Sequence, residues 1–205
     1  MKEQLIQRYS APERINHWVV AVCFVVLAIS GLAFFYPAFF WLTGVFGTPQ
    51  LARIVHPFVG VIMFLAFLRQ FFRYWHHNLL DKEDVKWMMS VTTVLKGHEV
   101  GDIGKYNGGQ KGMFWVMCLC MLTMLVTGLI GWRAYFAGYF PIEVVRLALL
   151  FHAWSATALI ACIIIHVYAA FWVKGTIRAM VEGVVSHGWA RKHHPRWYRE
   201  MTGKK

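Results

Sequence analysis

Four stretches of this chain, approximately 17–39, 55–75, 112–132 and 147–173, are each long and apolar enough to cross a hydrocarbon layer of about 30 Å. Runs of this kind read as membrane-spanning helices, and four of them joined by shorter links read as an up-down bundle. The composition agrees: 58% of the 205 residues are hydrophobic and 15% are charged, too apolar for an ordinary soluble domain. The predicted fold is therefore an all-α integral membrane protein, a four-transmembrane-helix bundle forming one domain over 1–205. A loop at 76–111 and a tail at 174–205 are its longest polar segments. The stretch before His17 is polar and lacks the features of a cleavable signal peptide.

The net charge of +11 is informative through its placement. Eighteen of the 21 Lys and Arg residues fall before the first span, in 69–111 or from Lys174 onward. The links on the other side hold three, Arg53, Arg133 and Arg146. Cytoplasmic loops carry such an excess, so both termini and the long loop are expected in the cytoplasm. Segregation accounts for the charge without nucleic acid, and the basic tail is expected against membrane lipid headgroups. Cys23, Cys118, Cys120 and Cys162 all lie in apolar spans and read as small buried residues, not as a disulfide framework or zinc site.

Ionisable side chains inside a span are rare and mark function. His152 and His166 lie fourteen residues apart in one span. That is about 40° short of four turns and about 21 Å along the axis, so both rings leave nearly one face. His56 opens the second span on the outer side, and His17 opens the first span on the cytoplasmic side. Depth therefore pairs His56 with His152, and His17 with His166. Two imidazoles facing across a bundle can supply both axial ligands of a b-type haem, leaving no position for oxygen and favouring electron transfer. Gly31, fourteen residues after His17, and Gly60, one turn after His56, would let a porphyrin edge approach the helix. Two histidines per level without a carboxylate or thiolate make a poor zinc or non-haem iron set. The bland reading of each histidine is a satisfied buried or interfacial polar residue. Interfacial placement is expected for His76 and His77, His98 in its glycine-rich loop could relay protons, and His187, His193 and His194 in the basic tail are expected to be solvated or lipid-facing.

Residues 101–111, GDIGKYNGGQK, precede the third span at the cytoplasmic surface. They can be a simple turn into the membrane. Asn107 and Gln110 could also bond a quinone ring, directly or through water, with protons supplied from the cytoplasm. Asp81 is expected to cap a short helix over 81–95, and a surface helix is expected to start at Pro141.

The strings RINHW (14–18), FGTPQLARIVHP (46–57), HHN (76–78), GKYNGGQK (104–111), AFWVKG (170–175) and WARKHHPRWYRE (189–200) are specific in combination. Through them nearly the whole chain resembles the membrane cytochrome b (gamma) subunit of respiratory formate dehydrogenase of the N/O type. The resemblance implies four transmembrane helices and two b haems. His56 and His152 would hold the outer haem iron, and His17 and His166 the inner. It also implies a menaquinone site at Asn107, Gly109 and Gln110 with the ligand His166 beside it. Gly108 stands where the family often has Ala. Further implications are a bacterial inner-membrane location, an iron–sulfur beta subunit, a molybdenum or tungsten catalytic alpha subunit, and a trimer of heterotrimers.

The expected function follows. Electrons from an extracytoplasmic iron–sulfur partner pass through the outer and then the inner haem to menaquinone or another quinone reduced at the cytoplasmic side. This contributes to proton-motive force, while formate is oxidised on a partner subunit. One alternative is the cytochrome b subunit of a membrane-bound hydrogenase or related oxidoreductase. The other is a membrane anchor without redox activity.

Overall fold

The computed structural model describes residues 4–98 and 100–203. A short strand β1 (Leu5–Gln7) leads into α1 (Ala11–Phe35), tight 3-10 turns over Pro37–Phe46 and α2 (Pro49–Tyr74). Another 3-10 turn, Trp75–Asn78, precedes α3 (Lys82–Met89) and α4 (Val91–Leu95). Then come α5 (Gly108–Gly131), a turn at Ala137–Tyr139 and α6 (Ile142–Trp172). The chain continues through α7 (Thr176–Val181), β2 (Val184–Ser186), α8 (His187–His193) and α9 (Pro195–Thr202).

Four helical stretches, containing α1, α2, α5 and α6, are long and apolar enough to cross a membrane. Only 11 to 17% of the most apolar stretch of each is buried inside the protein. Their apolar side chains face outward, as lipid-exposed helices require and a soluble core does not.

Local chemistry sets the helix starts. Glu13 accepts from the backbone N–H of Ser10 at 2.7 Å and from its hydroxyl at 2.9 Å, so α1 begins six residues before His17. Pro37, which disfavours helical geometry in the residue before it, marks the end of α1. The Thr48 hydroxyl accepts from the Leu51 N–H and opens α2. No separate surface helix starts at Pro141. Its carbonyl accepts from Val144 and Val145, and it leads directly into the 31-residue α6.

The chain divides into two compact units. The first comprises Ile15–Phe71 and Met117–Ile165. Its core is Met63, Phe67, Cys120, Met121 and Leu159. The buried Asn16 amide satisfies itself on the Ala66 carbonyl at 2.9 Å. All four cysteines are free, with Cys120 buried and the others half-buried.

The second unit comprises the chain up to Arg14, Phe72–Val116 and the chain from His166. Here the tail is not a solvated appendage. β1 pairs antiparallel with β2, Ile6 opposite Val185, over a core of Ile6, Ala179, Val185, Ala190 and Trp197. The expectation of a solvated or lipid-facing His194 is corrected: it is buried, with Nδ1 2.8 Å from the Gly104 carbonyl and Nε2 3.2 Å from an Arg8 nitrogen. Arg8 can only donate, so Nε2 accepts and Nδ1 carries the proton. Burial first, and then the Arg8 charge, keep this imidazole well below its ordinary titration range.

The expected helix over 81–95 exists as two pieces. Asp81 caps α3 as predicted, in a reciprocal box with Asp84. The chain breaks at Ser90, ahead of Val91, Thr92 and Thr93, whose β-branched side chains weaken helical continuation. Burial works against ionisation of Asp81, but hydrogen bonds from Arg196 and the Asp84 backbone, with the Lys111 charge, outweigh it. Its carboxyl is held at about 2.

Candidate functional site

The outer histidine pair lies within the first unit. His56 comes from α2 and His152 from α6, and their ring centroids are 6.2 Å apart with planes inclined at 59°. Two imidazoles on opposite sides of one metal, each bonded at about 2 Å, stand with centroids about 6 Å apart. The spacing thus fits an iron held between these two side chains. Phe34 closes one side, its ring edge-on to His56 at 5.7 Å.

Each ring is held by a hydroxyl from a further helix. Ser30 Oγ of α1 is 2.7 Å from His56 Nδ1, and Thr127 Oγ1 of α5 is 3.1 Å from His152 Nδ1. The Ser30 hydroxyl donates to the Val26 carbonyl at 2.9 Å, and Thr127 donates to the Thr123 carbonyl at 2.6 Å. Sequence reasoning missed both residues. Each directly precedes a glycine, Gly31 or Gly128, and the repeated hydroxyl–glycine pair in two apolar spans was the available signal.

The glycines also have a place. A Cβ at Gly31 would stand 3.7 Å from His56 Cε1, so this glycine faces the imidazole itself. A Cβ at Gly128 would stand 3.2 Å from His152 Cε1, tighter than ordinary contact. Gly60 faces Leu27, with 4.0 Å from its would-be Cβ to Cδ2.

The inner pair is distributed differently. His17 belongs to the first unit, half-buried on α1 with its ring edge-on to Trp18 at 5.5 Å. His166 belongs to the second unit and is exposed on α6. His152 and His166 both lie in α6, fourteen residues apart in sequence.

The residues before the third span form a helix start. Asn107 Oδ1 accepts from the Gln110 N–H at 2.9 Å, and Gln110 Oε1 accepts from the Asn107 N–H at 3.0 Å. This is a reciprocal cap on α5. Both amide oxygens are used, and among the described residues both NH2 groups remain as donors. Gly108 and Gly109 lie in the first turn because α3 presses on it. A Cβ at Gly108 would meet the Asp84 carbonyl at 2.7 Å, and one at Gly109 the Trp87 ring at 2.7 Å. Close packing against α3 therefore favours glycine at position 108.

Beside this turn Lys105 lies against the rings of Tyr9, Tyr74 and Tyr106. Burial lowers its ammonium from the ordinary range, and burial likewise raises the Tyr106 phenol. Among the described residues no three His, Cys, Asp or Glu side chains converge as a metal site.

Comparison with known proteins accords with this arrangement. Residues 8–183 match the family described as prokaryotic cytochrome b561. The chain is 56% identical over 200 residues to the formate dehydrogenase cytochrome b556(fdo) subunit of Escherichia coli K12, covering 98% of this chain and 95% of that one. It is 52% identical over 202 residues to the nitrate-inducible formate dehydrogenase cytochrome b556(Fdn) subunit of the same organism, covering 98% and 93%. It is 53% identical over 197 residues to the formate dehydrogenase cytochrome b556 subunit of Haemophilus influenzae, covering 95% and 83%. With four apolar helices and a histidine pair spaced for a b-type haem, this chain belongs to the prokaryotic cytochrome b561 family, together with the cytochrome b subunits of formate dehydrogenases.

Proposed function

We propose that this membrane cytochrome b carries two b haems and connects an iron–sulfur partner on the outer side to a quinone reduced on the cytoplasmic side. The observation that carries the proposal is the His56–His152 pair, 6.2 Å between centroids, with each Nδ1 engaged by a hydroxyl. His56 and His152 would hold the outer haem iron, and His17 and His166 the inner. When bound, these groups would supply one-electron chemistry. Asn107 and Gln110 would bond the quinone carbonyls through their NH2 groups, with Gly109 and His166 beside them. The partners in this reading are an iron–sulfur subunit and a molybdenum or tungsten formate-oxidising subunit, assembled as a trimer of heterotrimers. The charge bias supports cytoplasmic termini in a bacterial inner membrane.

The test is haem content per chain by pyridine haemochromogen assay, on the wild type and on His56→Ala, His152→Ala, His17→Ala and His166→Ala. Two b haems in the wild type and one in each variant are expected. His166→Ala should also stop quinone reduction while leaving dye reduction by the partner subunits intact. A wild type with no haem in a folded, haem-replete preparation would overturn the reading. So would two haems in every variant.

A further inference from the structure

The outer histidine pair uses all four long helices, and the two that supply no ligand carry the same dipeptide logic. On α1, Ser30 touches His56 Nδ1 and the adjacent Gly31 lies under His56 Cε1. On α5, Thr127 touches His152 Nδ1 and the adjacent Gly128 lies under His152 Cε1. Both hydroxyls are buried, with Ser30 fully so.

The direction of these hydrogen bonds follows from counting protons. A hydroxyl has one hydrogen and two lone pairs. Thr127 is 2.6 Å from the Thr123 carbonyl, which can only accept, so its hydrogen goes there. Ser30 has the same choice, with Val26 O at 2.9 Å and Leu27 O at 3.2 Å. Each hydroxyl oxygen is left to accept from imidazole, with the Met124 backbone a further partner of His152, so each Nδ1 carries hydrogen. In a neutral imidazole Nε2 then keeps its lone pair, the form a metal needs.

We infer that Ser30 and Thr127 are positioning residues for the outer iron site: their hydroxyl oxygens accept the Nδ1 protons of His56 and His152, fix both ligands as Nε2 donors, and set how strongly those ligands donate to the iron. The inference rests on the proposed ligation of a b haem by His56 and His152. An accepted Nδ1–H makes an imidazole a better donor and favours the oxidised iron. Removing an acceptor weakens that donation and moves the reduction potential upward. Gly128 completes the device on its side, because a Cβ there would stand 3.2 Å from His152 Cε1 and push on the ring that Thr127 orients.

The experiment is potentiometric titration, with electron paramagnetic resonance of the oxidised haems, on the membrane-assembled holoprotein. The variants are Ser30→Ala, Thr127→Val and the conservative pair Ser30→Thr and Thr127→Ser. Expected are two haems per chain in all four. The outer haem should shift to higher potential with an altered low-spin signal in Ser30→Ala and Thr127→Val, the inner haem should not move, and the conservative pair should stay near the wild type. If a hydroxyl deletion sheds the outer haem while its conservative partner keeps it, the positioning role stands. Unchanged potential and signal in both deletions, with two haems bound, would overturn it while leaving the ligand assignment intact. Retention of both haems in His56→Ala and His152→Ala would instead overturn the ligation on which it rests.

Discussion

Lys111 reaches back to Asp84, its Nζ 2.5 Å from Oδ2, with side-chain exposures of 5% and 2%. The Leu79 carbonyl accepts from the same ammonium at 3.0 Å. This buried pair ties the first turn of α5 to α3. Taking away Lys111 leaves the Asp84 carboxylate buried without its cation, a loss of about 3–5 kcal/mol. Lys111→Met should therefore lower the thermal unfolding midpoint in detergent strongly. Lys111→Met combined with Asp84→Asn, which keeps an oxygen for the Asp81 N–H, should recover much of that loss. Additive losses in the double variant would refute the pair as the cause.

The cap that Asn107 and Gln110 form can be separated from the quinone contact proposed for them. The cap uses their amide oxygens, whereas a quinone carbonyl needs their NH2 groups. Asn107→Asp keeps the capping oxygen and suits the positive end of a helix dipole. Its thermal stability should stay near the wild type while quinone turnover falls. Asn107→Ala should lose about 1 kcal/mol of stability as well. Full quinone turnover in Asn107→Asp would remove this side chain from the quinone site.

The spans were legible because a bilayer demands long apolar runs, and His56 and His152 were legible because a buried imidazole in such a run needs a reason. What escaped was polar satisfaction across helices. Nothing in the apolar pattern distinguishes Ser30 from a serine bonded only to its own helix; contact with His56 requires the register between α1 and α2. The tail misled for a related reason. Its high basic content reads as facing lipid headgroups, yet Arg196 pairs with Asp81 and Arg199 with Asp102, at separations of 115 and 97 residues. α1 and α5 start at Ala11 and Gly108, ahead of the apolar runs, because polar first turns look like loops until their caps are seen.

Gly128 and Gly31 predict opposite outcomes for one chemical change. Alanine stabilises a helix interior by up to about 1 kcal/mol over glycine. At Gly31 the added carbon would sit 3.7 Å from His56 Cε1, an ordinary contact, so Gly31→Ala should retain two haems per chain. At Gly128 the distance to His152 Cε1 is 3.2 Å, and the Thr127 contact at 3.1 Å restrains the ring from yielding. Gly128→Ala should weaken outer haem binding, read as a faster loss of one haem to apomyoglobin. Equal loss rates in the two variants would contradict this geometry.

His194 makes the loop-and-tail unit sensitive to pH in a defined direction. Its unfolded pKa is about 6.5. In the folded unit, burial and the Arg8 charge hold it well below that. Below pH 6.5 the unfolded chain therefore binds a proton that the folded one refuses. Stability from this site is fully present above about 6.5. It is lost as pH falls toward the folded pKa, by at most about 1.4 kcal/mol per pH unit. Asp81 does not confuse the window, since its carboxyl at about 2 loses its contribution only under much stronger acid. Hydrogen exchange across 184–202, followed by mass spectrometry from pH 7.5 to 5 and corrected for intrinsic rates, should show protection falling below 6.5. His194→Gln keeps a donor and an acceptor without titrating, and should flatten that fall. A variant that loses protection with the same pH profile as the wild type would assign the sensitivity to another group.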